Sequence, residues 1–423
     1  MEYCPRVVDA ELDELMENLP ALALEGPRGV GKTATAARRA DHVWALDDRD
    51  QREILAADPT QLGRIRGTIL IDEWQRYPPI WDSVRRSVDG GAGPGRFLLT
   101  GSAEPVERPA HSGAGRIVRI RMRPMSLAER GVETPTVSLG ELLSGAHPPV
   151  SGTTDVALDT YVEEILASGL PGIRRFTERS RDAHLESYMA RLVEHDFAEQ
   201  GHEVRRPAAL LGWLRAYAAA TATTTSYNTL LAAASPGESD KPAKTTTIAY
   251  RDVLSQLWLV DPVPGWMPTR NPLNRLTQFP KHHLADPALA AHLLGASSGA
   301  LLEGRGAGPD VPRDGSLLGA LFESLVTQSA QVYAQAHQAG VRHMRTKDAR
   351  HEVDLIIERR DQRVVALEVK LTSAPIDDDL RHLRWLRDEL GDDLLDAAII
   401  TTGKFAYRRP DGIAVIPAAL LGP

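Results

Sequence analysis

The chain has one cysteine, Cys4, only seven lysines against forty-two arginines, and an aromatic content of 5%. A single thiol excludes an internal disulfide and suits a reducing compartment, so a cytoplasmic protein is expected. No stretch approaches the roughly 20 apolar residues that span a bilayer. The opening MEYCPRVVDAELDEL lacks the basic and apolar regions of a signal peptide, so no membrane partner is expected. A net charge of -8 and a pI near 5.9 argue against a protein coated in nucleic acid, while leaving room for a local basic groove. The shortage of lysine has one use: a lysine inside a motif is less readily there by chance. There is no internal repeat. With 423 residues, 42% hydrophobic and 25% charged, the chain has a globular composition and is too long for one ordinary domain.

The first 130 residues alternate short apolar runs with helical patterns, as a parallel α/β sheet does. Strands are expected at Ala21–Glu25, His42–Leu46, Thr68–Ile71, Arg96–Thr100 and Gly115–Arg121, with helices at Thr33–Arg39 and Ile80–Val88. From Asp155 to about Leu257 strand signals vanish and helical periodicity takes over, clearest at Leu185–Phe197, Ala208–Ala219 and Thr246–Leu257, with a further helix at Tyr227–Ala234. Trp258–Trp266 reads as a short hairpin punctuated by prolines. Beyond Glu303–Gly315, the most linker-like stretch, a helix at Leu317–Gln335 precedes strands at Val353–Glu358, Val364–Lys370 and Ala397–Thr401. A further helix, Leu380–Leu390, separates the last two strands. The breaks divide the chain into 1–150, 151–300 and 301–423.

Gly26-Pro27-Arg28-Gly29-Val30-Gly31-Lys32-Thr33, followed by Ala34, matches the phosphate-binding pattern G-x4-G-K-[ST] between a strand and a helix. Glycines let backbone N–H groups close around phosphate oxygens, and the helix N-terminus adds partial positive charge. Lys32 is expected to reach the β- and γ-phosphates and Thr33 to ligate Mg²⁺. Thr68-Ile-Leu-Ile-Asp72-Glu73 supplies the second half, with Asp72 beside the metal and Glu73 polarising water for attack on the γ-phosphate. Thr100 or Ser102, at the end of the next strand, faces the same crevice in a doubly wound sheet and is a candidate contact of the γ-phosphate or the attacking water. Arg116, after a Gly-Ala-Gly loop, is a candidate for stabilising charge on the transferring group. A kinase is disfavoured by Glu73 and by the lack of an acceptor site.

GPRGVGKT, ILIDEWQ and LTGSAE resemble the AAA+ ATPases of bacteria and archaea that carry a C-terminal domain of unknown function. LASGLPGIRRF, FPKHHLADPALAAHLLG, LFESLV and EVDLIIE…ALEVK fit the same family in the same order. The resemblance implies an α/β protein with an N-terminal P-loop AAA+ domain, a helical winged-helix-like middle and a restriction-endonuclease-like α/β end. Two departures stand out: Trp74 takes the place of a small apolar residue, and the loop before Gly115 is rich in proline.

Near the C-terminus, Glu352-Val-Asp354 opens one strand and Glu368-Val-Lys370 closes the next, with a turn at Asp361-Gln362. Period-2 alternation puts Glu368 and Lys370 on one face, and the hairpin can bring Asp354 beside them. Two carboxylates and a lysine so placed form the pattern of PD-(D/E)XK nucleases. Asp354 and Glu368 would hold Mg²⁺, Glu323 on the preceding helix could add a ligand, and Lys370 would act on the attacking water. Against this stands an ordinary reading as cross-strand ion pairs. His343, Arg345, Lys347 and Arg350 are candidate backbone contacts for DNA or RNA, and Tyr250 and Arg251 candidates for a groove. Lys281-His282-His283 with Asp286 has no zinc spacing and reads as an ordinary segment. The function expected is a Mg-dependent ATPase, binding ATP and ADP, coupled to nucleic-acid binding or cleavage. The rival is an ATP-dependent switch or scaffold with an inactive nuclease-like end, and a homo-oligomer is open in either case.

Overall fold

The computed structural model describes residues 3–105, 111–234, 244–269, 278–303, 315–346, 348 and 350–423. The N-terminal sheet has five strands: β1 (Ala21–Glu25), β2 (His42–Ala45), β3 (Ile69–Asp72), β4 (Phe97–Gly101) and β5 (Val118–Arg121). Their order is β2-β3-β4-β1-β5 and every pairing is parallel. The three central strands are buried along their whole length, which is why they read as continuous apolar runs, while β2 and β5 at the edges keep exposed positions. Alternate residues feed two cores. Leu22, Leu24, Leu70 and Leu98 pack with Val8 and Leu12 on one face, and Ala21, Ala23, Ile69, Ile71, Phe97 and Leu99 pack with Ile80, Trp81 and Val84 on the other. Trp74 is buried against Trp81, ring centroids 4.5 Å apart, so its bulk is spent on the second core.

A short parallel pair joins β6 (Val137–Ser138) to β15 (Leu421–Gly422). The second sheet contains β7 (Ser151–Thr153), β8 (Gly265–Trp266), β9 (Gly340–Arg345), β10 (Glu352–Glu358), β11 (Val364–Val369), β12 (Leu394–Thr401), β13 (Phe405–Arg408) and β14 (Ala414–Pro417). Its order is β7-β13-β14-β12-β11-β10-β9-β8. The helix Ser316–Ala336 precedes β9, and the helix Arg381–Leu390 connects β11 to its parallel neighbour β12. From the helix Ser316–Ala336 to β12 the order is therefore α-β-β-β-α-β, one strand more than expected over that span, and β13, β14 and β15 follow. The extra strand, β9, contains His343 and Arg345, which the sequence placed in a basic loop. His343 is buried, and Arg345 bonds Thr224 and faces Glu352. Arg350 pairs with Asp348, and Lys347 lies outside the described residues.

The helices Pro207–Ala219, Tyr227–Ala233 and Lys244–Gln256 form where expected. Tyr250 is not directed into a groove: it is buried near Trp213 and Phe197, and Arg251 lies over the Tyr227 ring. Nor does 258–266 fold on itself. Pro262 and Pro264 have no N–H to donate, and the segment instead pairs antiparallel with 281–284 through Val260 and Val263 before entering the sheet as β8. One hydrophobic core runs from Leu127 to Leu421, joining Tyr161, Trp213, Leu289, Phe322, Tyr333 and Leu367. With β7 and β8 both contributed from 151–300, the cut at 300/301 does not coincide with a break between cores. Residues 235–243, and 304–314 of the linker-like stretch Glu303–Gly315, lie outside the described residues.

Candidate functional site

Gly26–Thr33 leaves the carboxyl end of β1 and runs into the helix Lys32–Ala37. Gly31, at φ 105°, holds a left-handed conformation that a side chain would strain, and this turns the chain into the helix. Lys32 is buried, and its Nζ donates to the carbonyls of Gly26 (2.8 Å) and Pro27 (2.9 Å). Burial lowers its ammonium to about 8, a tendency the nearby Glu73 and Asp72 oppose. Thr33 and Ala34 are exposed at the start of the helix.

Asp72 ends β3 beside this loop. The Thr33 hydroxyl donates to its Oδ1 at 2.8 Å, and the buried Thr100 hydroxyl, from the end of β4, donates to the same oxygen. Burial raises the Asp72 carboxyl and these two hydrogen bonds hold it back. Glu73 follows in a left-handed conformation, φ 52°. Its Oε2 accepts from Ser102 Oγ (2.8 Å) and from Gln75 Nε2. Thr100 and Ser102, expected to meet the phosphate or water, instead orient the two carboxylates. Gly101 between them has to be glycine, since a Cβ there would lie 2.8 Å from Trp74 Nε1.

A hydroxyl and a carboxylate at the head of a glycine loop are oxygen donors of the kind Mg²⁺ takes, so the residues fit Mg-nucleotide. Beside them opens a cavity of about 320 Å³ lined by Arg28, Gln75, Ser102, Tyr188, Asp196 and Glu199. Arg28 of the loop faces Asp196 (3.5 Å) and Glu199 (3.9 Å), and Arg76 pairs with Glu199 at 3.0 Å. Both acids sit at or just after a π-helical turn, Leu192–Asp196, where the helical middle meets the loop.

Arg116 is not at this site. It precedes β5, which runs parallel to β1 with Val118 opposite Leu22, so it lies level with Pro20 at the amino edge of the sheet. The loop starts at Gly26 on the carboxyl edge, roughly 20 Å of strand away. Arg116 bonds Asp89 at 2.9 Å.

The second cluster lies where the helix Ser316–Ala336 meets β10 and β11. Glu323, Asp354 and Glu368 are brought together, but the cation among them is Lys281, at 1% exposure. Its Nζ donates to Glu323 Oε1 (2.7 Å) and Asp354 Oδ1 (3.0 Å) and lies 3.5 Å from Glu352. Asp354 Oδ2 accepts the Val369 N–H at 2.9 Å, and Lys370 bonds Glu368 at 2.7 Å. Burial, then the like charge of Asp354, pushes Glu323 and Glu368 up to about 8. Burial would raise Asp354 too, but the Lys281 and Lys370 charges hold it below the usual range. Among the described residues no group of three or more His, Cys, Asp or Glu is arranged to hold a metal ion. The expected metal set Glu323, Asp354 and Glu368 is therefore corrected: an ammonium group stands between the carboxylates.

Asp286 was likewise passed over. Fully buried, it accepts Ser168 Oγ (2.6 Å) and the Gly169 N–H (2.7 Å) on one oxygen and caps the helix Pro287–Leu293 through Ala288 N (3.0 Å) with the other. The signal that could have found Lys281 is the scarcity of lysine, since it is one of only seven in the chain.

Residues 18–130 match the AAA domain family, 158–300 a domain of unknown function (DUF8612), and 318–421 a domain of unknown function (DUF4143). Uncharacterized proteins of Mycobacterium tuberculosis and Mycobacterium bovis are each 28% identical over 420 residues, covering 97% of this chain and 82% of their own. The Walker-type ATPase of Pyrococcus abyssi overlays at a TM-score of 0.36 with 14% identity, covering 67% of this chain and 94% of that one. Among the described residues no helix is long and apolar enough to cross a membrane. The AAA match over 18–130, with the loop geometry, supports an N-terminal AAA-like domain and an ATPase of that type.

Proposed function

We propose that this chain is a Mg²⁺-dependent ATPase that works as a nucleotide-driven switch on its own helical middle and C-terminal α/β region. The observation that carries the reading is the convergence of Thr33 and Thr100 on Asp72, with Glu73 held one residue further on by Ser102 and Gln75. Gly26–Thr33 would bind the ATP phosphates, with Lys32 moving its ammonium from the Gly26 and Pro27 carbonyls onto them. Thr33 and Asp72 would hold Mg²⁺, whose charge offsets that of the phosphates. Glu73, released from Ser102, would accept a proton from the attacking water at Oε2. Arg28, shared between the loop and the acids Asp196 and Glu199, is the contact through which nucleotide would be felt by the helical middle.

Cleavage of DNA or RNA by the C-terminal region is the second reading. The α-β-β-β-α-β order and the Asp354, Glu368, Lys370 triad favour it, and the position of Lys281 opposes it.

The test is ATP hydrolysis by the full chain with Mg²⁺. Lys32→Ala is expected to abolish nucleotide binding, and Glu73→Gln to keep binding while slowing turnover by about 10²–10⁴. Turnover by Glu73→Gln at the wild-type rate would remove Glu73 from the mechanism. No turnover by the wild type would overturn the hydrolytic reading.

A further inference from the structure

The carboxylates of the C-terminal cluster come from the helix Ser316–Ala336, β10 and β11, but the cation between them is supplied by a segment about forty residues earlier in the chain. That segment is pinned along its backbone. Lys281 and Val263 exchange both N–H···O bonds at 2.9 Å, His282 bonds Thr223 and Ala222, and the His283 carbonyl accepts from Asp261. The Lys281 side chain cannot leave without breaking this pairing or bending its stem away from two hydrogen-bonded acids. Both oxygens of Asp354 are already used, one by Lys281 and one by the Val369 N–H. Glu368 Oε2, in contrast, is buried with no hydrogen-bond partner among the described residues. A divalent ion that prefers oxygen needs several free lone pairs at about 2.0–2.6 Å, and the ammonium stands between the two acids that would have to provide them.

We propose that Lys281 is the resident cation of this cluster: its ammonium occupies the place between Glu323 and Asp354 that a divalent metal would need, and the native chain is closed to metal there. The inference does not rest on the ATPase reading. It implies that the nuclease-like arrangement is latent, with the acids present and the metal position filled from within. Removing the ammonium leaves oxygen donors facing one another around a vacated position, which is the chemistry of an Mn²⁺ or Mg²⁺ site.

The test is Mn²⁺ binding to the full, nucleotide-free chain, followed by the paramagnetic resonance signal of free Mn²⁺. The wild type and Asp354→Asn are expected to bind Mn²⁺ identically. Lys281→Met is expected to gain one Mn²⁺ per chain, and Lys281→Met/Asp354→Asn to lose it again. Mn²⁺ should also raise the melting temperature of Lys281→Met and leave the wild type unmoved. Should Lys281→Met fail to fold, Lys281→Met/Glu352→Gln, with one fewer uncompensated acid, is read the same way. A wild-type Mn²⁺ site that Asp354→Asn removes would overturn the proposal, as would a folded Lys281→Met chain that gains no ion. The wild-type comparison decides by itself if neither variant folds: no difference from Asp354→Asn supports closure.

Discussion

Asp286 ties the start of the helix Pro287–Leu293 to the Ser168–Gly169 turn, and its removal has a cost that can be worked from the contacts. Asp286→Ala uncaps the helix Pro287–Leu293 by freeing the Ala288 N–H, at about 1 kcal/mol. It also strands the Ser168 hydroxyl and the Gly169 N–H in the interior, at about 1–3 kcal/mol each. The sum is about 3–7 kcal/mol, toward the low end if the Ser168 hydroxyl turns to another acceptor. Asp286→Asn has a single carbonyl oxygen, so it can serve either the Ala288 N–H or the Ser168–Gly169 pair and turns an NH2 toward the other, and a large part of the loss is expected to remain. Urea unfolding followed by tryptophan fluorescence and far-UV circular dichroism measures this, and coincident curves establish that one transition is read. The damage should reach the nucleotide site as well, because the 168–171 turn lies against the phosphate loop, with Pro171 beside Gly31. ATP binding by Asp286→Ala should weaken even under conditions where the chain is fully folded. A stability change below about 1 kcal/mol would refute the argument that these bonds are buried and irreplaceable.

Gly101→Ala places a Cβ 2.8 Å from Trp74 Nε1 and 3.0 Å from Gln75 Oε1. It should lower stability by about 1–3 kcal/mol and slow ATP turnover through the displaced Gln75–Glu73 contact, whereas Gly172→Ala, which meets open space, should do neither. The pH dependence follows from Glu323 and Glu368, both raised to about 8 by burial and by Asp354. A carboxyl raised on folding binds more protons in the native than in the unfolded chain, so its stabilising contribution is full below about pH 4.5 and is lost as pH rises toward about 8. Unfolding free energy should therefore fall across that window by up to about 1.4 kcal/mol per pH unit for each group. Glu368→Gln should flatten the slope, and an unchanged slope would show that Glu368 is ionised in the folded chain.

The phosphate loop, the β3 acids and the parallel sheet were legible because they are local. A glycine pattern between an apolar strand and a helix constrains its own backbone, and strands buried on both faces announce themselves as apolar runs. The residues of the second cluster were legible as residue types, Asp354 and Glu368 by strand alternation and Glu323 by its helix. The partner of that cluster was not, because Lys281 acts across about forty residues from Glu323 and seventy from Asp354, and spacing carries no information at that range. The same holds for Arg116, whose motif-like setting says nothing of which edge of the sheet it occupies, and for Tyr250, whose helical period does not say which face is covered. Sequence alone determined which side chains bring chemistry to this protein. Tertiary structure decided which charges meet, because a buried charge must find a partner wherever the fold provides one. Here the fold gave the carboxylates of the C-terminal cluster a lysine.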